Sequence, residues 1–161
     1  VLERLSATPL GRSGLLAGKA MAYSVISLAQ VILLVIISLA LSWHPHGSGL
    51  AWLPTLVSVA LAMMTFGLAA LAMAGSLKAE VTLGLANLVY IVGLVAGAVV
   101  WPLVDYPKAI RPVIAALPTT ALGESLRAWG VGYTLWWPLA SLAGWAILLG
   151  LLARKVFTWI S

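Results

Sequence analysis

The chain has 161 residues, 63% of them hydrophobic and 8% charged, with a net charge of +5 and a mean hydropathy of +1.10. A soluble domain is ordinarily about a quarter charged, and none of this size could hide so much apolar surface, so a soluble fold is excluded. The basic excess sits at the ends of apolar runs, which gives no reason to invoke nucleic acid, and the absence of cysteine removes disulfides and thiolate metal sites.

In chain order, a basic leader containing Arg4, Arg12 and Lys19 is followed by four runs without an ionisable residue: Ala20–Trp43, Leu50–Leu77, Val81–Val104 and Val131–Ala153. About 20 apolar residues suffice for a helix to cross a hydrocarbon core of roughly 30 Å. Lipid offers no partner to a free backbone N–H or C=O, so each run must be helical. The sequence therefore predicts an all-α integral membrane protein, one transmembrane domain over 1–161, with transmembrane helices at 20–43, 51–77, 81–104 and 131–153 and a leader over 1–19. Because the chain begins with Val1 rather than Met, the expectation is a piece, or the ordered part, of something longer.

Four crossings place both ends on one side. Arg4, Arg12, Lys19, Lys78, Arg154 and Lys155 share that face, whereas Lys108, Arg111 and Arg127 lie on the other. The excess of basic residues makes the first face cytoplasmic. Trp43, Trp52, Trp101, Trp129, Trp136 and Trp137 gather near the opposite face as an interfacial belt, with Tyr23 and Trp159 marking the inner boundary.

The connections differ in kind. His44–Gly49 is a tight outer hairpin and Gly75–Glu80 a short inner one. Asp105–Gly130 is long and apolar, yet it holds Lys108, Arg111, Glu124 and Arg127 and is cut by Pro107, Pro112 and Pro118. Each charge at the centre of a spanning helix costs about 2.5–3.5 kcal/mol, so a fifth crossing is disfavoured. The segment reads as a re-entrant external helical hairpin, with Ala109–Leu117 descending and Thr119 or Thr120 capping the returning piece.

Few side chains invite chemistry. His44 and His46 flank Pro45 in a turn, with no carboxylate nearby to complete a metal site. Glu124 and Arg127, three apart on the returning helix, suit a side-chain pair that makes the dip tolerable or acts as a gate. Inside the spans, Ser24, Ser27, Gln30, Ser38, Ser58, Thr65, Thr82, Asn87, Tyr90 and Ser141 would bond within their own helix or to neighbouring helices. Of these, Gln30, Asn87 and Tyr90 are large enough to line a cavity. Gly93-x-x-x-Gly97 and Ala140-x-x-x-Gly144 are small-residue ridges suited to close helix approach, and Gly93 and Gly97 could equally serve a subunit seam. No phosphate loop, nucleophile elbow or His-Glu-x-x-His is present, so any ATP-dependent work needs another polypeptide.

The stretch Leu2-Glu3-Arg4-Leu5-Ser6-Ala7-Thr8-Pro9-Leu10-Gly11-Arg12-Ser13-Gly14-Leu15-Leu16-Ala17-Gly18-Lys19 resembles the cytoplasmic loop joining the second and third of six spans in type-2 ATP-binding-cassette exporter permeases of the drug-resistance type. Leu117-Pro118-Thr119-Thr120-Ala121 followed by Glu124-Ser125-Leu126-Arg127 resembles, more loosely, the same family's stretch before the last span. The resemblance implies the last four of six spans and a cytoplasmic coupling helix, in which Thr8, Pro9, Leu10, Arg12 and Ser13 contact the ATPase. It further implies a second permease half, identical or different, with ATP and Mg held by the partner ATPase and no cofactor on this chain. The substrate would be a drug, lipid, antibiotic or glycan, exported across a bacterial plasma (inner) membrane. Its path would be lined in part by the span carrying Asn87, Tyr90, Ile91 and Leu94, with Gln30 a further candidate and Glu124 and Arg127 as the re-entrant gate. The alternatives are a helical assembly or channel subunit, or an intramembrane enzyme, which would need a reactive cluster at membrane depth.

Overall fold

The computed structural model describes residues 11–47, 50 and 52–158 and divides into two compact units, Val1–His44 and Pro45–Ser161. The first unit contains α1, Gly11–Ala40, 30 residues long. Leucine, isoleucine, valine and alanine dominate it, and no proline interrupts it. The helix closes on Ser42 in the left-handed region (φ 64°), and the Trp43 N–H donates to the Ser38 carbonyl at 2.9 Å, an αL termination usually built with glycine. From Gly11 onward the backbone runs into the span without a break, so residue 20 is not a helix boundary. Thr8, Pro9 and Leu10 lie outside the described residues.

The second unit holds α2 (Trp52–Ser76), α3 (Ala79–Ala96), α4 (Arg111–Ala115), α5 (Pro118–Val131) and α6 (Trp137–Thr158), with a short 3-10 turn at Leu103–Asp105. No strand occurs among the described residues. Among the described residues, four helical stretches are long and apolar enough to cross a membrane: Met21–Ala40, Trp52–Ser76, Ala79–Ala96 and Trp137–Lys155. Most of their side chains are exposed, as expected where the solvent is lipid rather than water.

Two span boundaries differ from the sequence reading. The charge-free run to Val104 is helical only to Ala96, because Gly97 turns out of the helix (φ −95°) and Ala98 takes a left-handed φ of 51°. The run beginning at Val131 enters its helix only at Trp137. Before it, Gly132, at φ 97°, donates back to the Ala128 and Trp129 carbonyls and ends α5, a conformation that favours glycine. Downstream, α6 continues past Ala153, so Lys155 falls in its last turn, where a cation meets the negative end of the helix dipole.

Helix α5 sits at the centre of this unit. Its buried face, Thr120, Ala121, Ser125 and Ala128, packs against α2 and α6. Ala121 clusters with Ala62 of α2 and Leu142 of α6. One turn along, the Ser125 hydroxyl donates to Ser58 Oγ at 3.0 Å, so α5 and α2 run antiparallel. Against α3, Thr119 touches Gly93 and Gly97 while Gly123 lies on the Ala98 carbonyl, so α5 and α3 run parallel. The Thr65 hydroxyl donates to the Leu142 carbonyl at 3.3 Å, and Leu68 lies near Gly150, which places α2 and α6 side by side in the same direction.

The expected threonine cap is corrected. Leu117 is the N-cap of α5, without a side-chain capping bond, and Pro118 takes the first helical position. Proline is preorganised there and leaves an N–H that would be orphaned anyway missing altogether, so Thr119 and Thr120 fall inside the helix. The helix expected over 109–117 is shorter, Arg111–Ala115.

Candidate functional site

The chain that leaves α3 cannot bond to itself as a helix does, so residues 98–106 need donors for their carbonyls and acceptors for their N–H groups. Side chains of the charged segment supply them. Glu124 Oε1 accepts from the Leu103 N–H at 3.0 Å and from Arg127 Nη1 at 2.8 Å. Arg127 Nη2 points at the Ala98 and Val99 carbonyls, 3.4 Å from each. Arg111 Nε donates to the Tyr106 carbonyl at 2.7 Å, and its Nη2 donates to the Val104 carbonyl. The Tyr106 hydroxyl reaches back to the Val95 carbonyl at the end of α3, at 2.7 Å.

Glu124 and Arg127 thus do meet as an ion pair, with side chains 16% and 31% exposed. Each also holds backbone of the irregular segment, so the pair is a clamp between the end of α3 and α5. The backbone groups that the pair satisfies would have no other partner in an apolar surrounding.

At its far end, α5 is held by the loop before α2. The His46 N–H donates to the Gly130 carbonyl at 3.0 Å, and His46 Nδ1 lies 3.4 Å from the same oxygen. Gly47 is needed there, because a Cβ would come within 2.5 Å of the Trp129 ring. At its near end, the turn between α4 and α5 is held by Trp145 of α6, whose indole N–H donates to the Ala116 carbonyl at 2.6 Å. Trp145 is eight residues into α6, about 12 Å along its axis. The Ala116–Pro118 turn therefore rests on the side of α6.

The polar candidates on α3 form a stripe. Asn87, Tyr90, Ile91 and Leu94 follow the i, i+3, i+4, i+7 pattern of one helix face. The first three are exposed and Leu94 is half-buried. Asn87 is the ninth of the 18 residues of α3, so its amide sits at mid-helix. Gln30, on α1 in the other unit, is also exposed, and Arg12 and Ser13 fall in the first turn of α1. Gly93 and Gly97 form a notch for Thr119: a Cβ on Gly93 would lie 3.1 Å from Thr119 Cγ2, and one on Gly97 would overlap Thr119 Oγ1 and the Gly93 carbonyl. The second ridge differs from expectation, since nothing lies within 4 Å of a Cβ built on Gly144.

Trp145, Tyr106 and His46 are the residues whose structural roles the sequence reading missed. Trp145 carried one available signal: it is a tryptophan far from either end of its span, outside any interfacial belt. Among the described residues no group of three metal-ligating side chains gathers.

Comparison with known proteins agrees with this architecture. No curated protein and no solved structure matches the chain. The family model described as ABC-2 family transporter protein matches residues 1–155. A match over nearly the whole length, on an all-helical chain with four membrane-length apolar helices, means that this chain belongs to the ABC-2 type transporter permease family.

Proposed function

We infer that the chain is a membrane-spanning subunit of an exporter, which forms the translocation path together with a second permease half and is driven by a separate ATPase that holds ATP and Mg. The observation that carries this reading is the exposed stripe of α3. A carboxamide facing hydrocarbon at mid-span is costly unless it meets a partner or a water-filled cavity, and Asn87 with Tyr90 beside it presents such a group on an otherwise aliphatic surface. A path between two halves accounts for it. The aliphatic character of Ile91 and Leu94, with one amide and one phenol, suits a hydrophobic or amphipathic substrate: a drug, lipid, antibiotic or glycan.

In this reading Arg111–Val131 is a re-entrant hairpin whose tip, the Ala116–Pro118 turn, rests on Trp145 at depth, and Glu124 and Arg127 hold the end of α3 to it. Thr8, Pro9, Leu10, Arg12 and Ser13 form the coupling contact. Motion of the ATPase pair is transmitted through α1 and rocks the spans between inward and outward access. The termini are cytoplasmic and the membrane is the bacterial plasma membrane, consistent with the six basic residues on that face.

The test is substrate-stimulated ATP hydrolysis by the complex purified with its ATPase, in lipid. Asn87→Leu and Tyr90→Ala should alter the stimulation by lipophilic substrates while the ATPase still copurifies. Unchanged stimulation across the substrate panel in both variants would contradict the assignment of this face.

A further inference from the structure

We propose that Arg111 and Lys108 form a seat for the phosphate of a phospholipid, in the leaflet that meets the C-terminal end of α3. The Tyr106 hydroxyl donates to the Val95 carbonyl at 2.7 Å, and α3 ends at Ala96, so the chain that follows is tied to the end of a span. Arg111 Nε donates to the Tyr106 carbonyl at 2.7 Å, and its Nη2 donates to the Val104 carbonyl. These bonds hold the guanidinium within a side-chain length of that span end, where a bilayer passes from acyl chains to headgroups.

Two backbone carbonyls fix the guanidinium without neutralising it. Arg127 has Glu124 as its counter-charge, whereas neither Arg111 nor Lys108 meets a carboxylate at salt-bridge distance among the described residues. Lys108 is exposed on the turn that leads into α4, and Asp105, the nearest acid along the chain, is exposed as well. Together the three leave a single net positive charge, the complement of one phosphodiester. Arg111 Nη1 takes part in neither backbone bond, so donors remain for an anion, and a guanidinium suits phosphate oxygens.

The surroundings favour a lipid over a soluble anion. Val104, whose carbonyl Arg111 holds, is 65% exposed, and Val113, two residues beyond Arg111, is 70% exposed; Trp101 and Ile110 are exposed too. Large apolar side chains flanking a cation at a span end match the two parts of a phospholipid. Acyl chains lie along the valines while the phosphate meets the guanidinium and the Lys108 ammonium.

Lipid retention tests this without ATP, so the outcome does not depend on the transport assignment. The protein, purified from membranes in mild detergent, is titrated with dioleoylphosphatidylglycerol or with dioleoylglycerol, which has the same chains and no phosphate, and bound lipid is counted by native mass spectrometry. The parent should hold the phospholipid about tenfold more tightly than dioleoylglycerol. Lys108→Gln and Arg111→Gln should each weaken phospholipid binding about tenfold, the worth of one charge-assisted hydrogen bond. Arg154→Gln, which removes a cation near the other end of α6, should leave it unchanged. Lys108 makes no hydrogen bond among the described residues, so its variant reads the seat even if Arg111→Gln loosens the backbone it holds. Equal binding of the two lipids would overturn the proposal, as would an equal loss with Arg154→Gln, which would show general attraction to a basic protein. Displacement of the phospholipid by millimolar glycerol 3-phosphate would also overturn it, since the seat would then take a soluble anion.

Discussion

The Trp145 indole N–H donates to the Ala116 carbonyl across a sequence separation of 29 residues, at 2.6 Å. Ala116 follows the last turn of α4, where a helix leaves carbonyls without intrahelical donors. In water such a group would be solvated. In an apolar layer it needs a protein donor, and α6 supplies one. Trp145→Phe keeps the ring and removes the donor, so it should destabilise the folded protein by about 0.5–1.5 kcal/mol, the net worth of one hydrogen bond. Unfolding by SDS in mixed micelles measures this; a stability equal to that of the parent chain would mean that water or lipid headgroups already reach the turn.

The notch on α3 makes a sharper steric forecast. Gly97→Ala places a methyl against both Thr119 Oγ1 and the Gly93 backbone carbonyl, so trimming Thr119 to Ala should not rescue it. Gly93→Ala meets only the Thr119 side chain, at 3.1 Å, and should be rescued by Thr119→Ala. Overpacking of this kind costs about 1–3 kcal/mol, read from the same SDS titration. Equal rescue of both glycine variants would show that the backbone at Gly97 gives way.

The Glu124–Arg127 clamp should act through backbone more than through charge. Glu124→Gln keeps an oxygen for the Leu103 N–H, whereas Glu124→Ala loses it along with the ion pair. The expected order of damage is Ala greater than Gln, because only Ala leaves the Leu103 N–H without its acceptor. Protease cleavage within residues 98–105 of detergent-solubilised protein should rise with Ala and remain near the parent rate with Gln. The reverse order would assign the clamp to charge.

Orientation is open to a direct check. If the basic residues set topology as usual, a cysteine at Lys78 should be labelled only from the cytoplasmic side and one at His46 only from outside. With no native cysteine in the chain, external labelling at position 78 would invert the topology.

Much of this was legible in the residues. Twenty positions without a charge report the solvent around a helix, so four helices followed from four runs. Their ends were less legible, because composition does not register the left-handed turn at Ala98 or the stop at Gly132. The Glu124–Arg127 pair was visible from its spacing of three; the Leu103 N–H it also serves was not, since that contact depends on tertiary folding. Gly93 and Gly97 advertised a close approach, but the occupant is the Thr119 side chain rather than a second small-residue ridge. The threonine cap failed because Pro118 takes the first helical position and leaves Leu117 as the cap.

In the proposed function, ATP-driven work reaches this subunit through the segment around Pro9. Replacing Leu10 and Arg12 together with Asp adds uncompensated negative charge at that contact and leaves the four apolar spans unaltered. Burying a charge without a partner is strongly unfavourable. The measurement is ATPase copurification and coupled ATP hydrolysis of the double variant, beside its expression in the membrane. Normal membrane levels with loss of both the partner and coupled hydrolysis are expected; a double variant that keeps its ATPase and its coupled hydrolysis would contradict the proposed coupling contact.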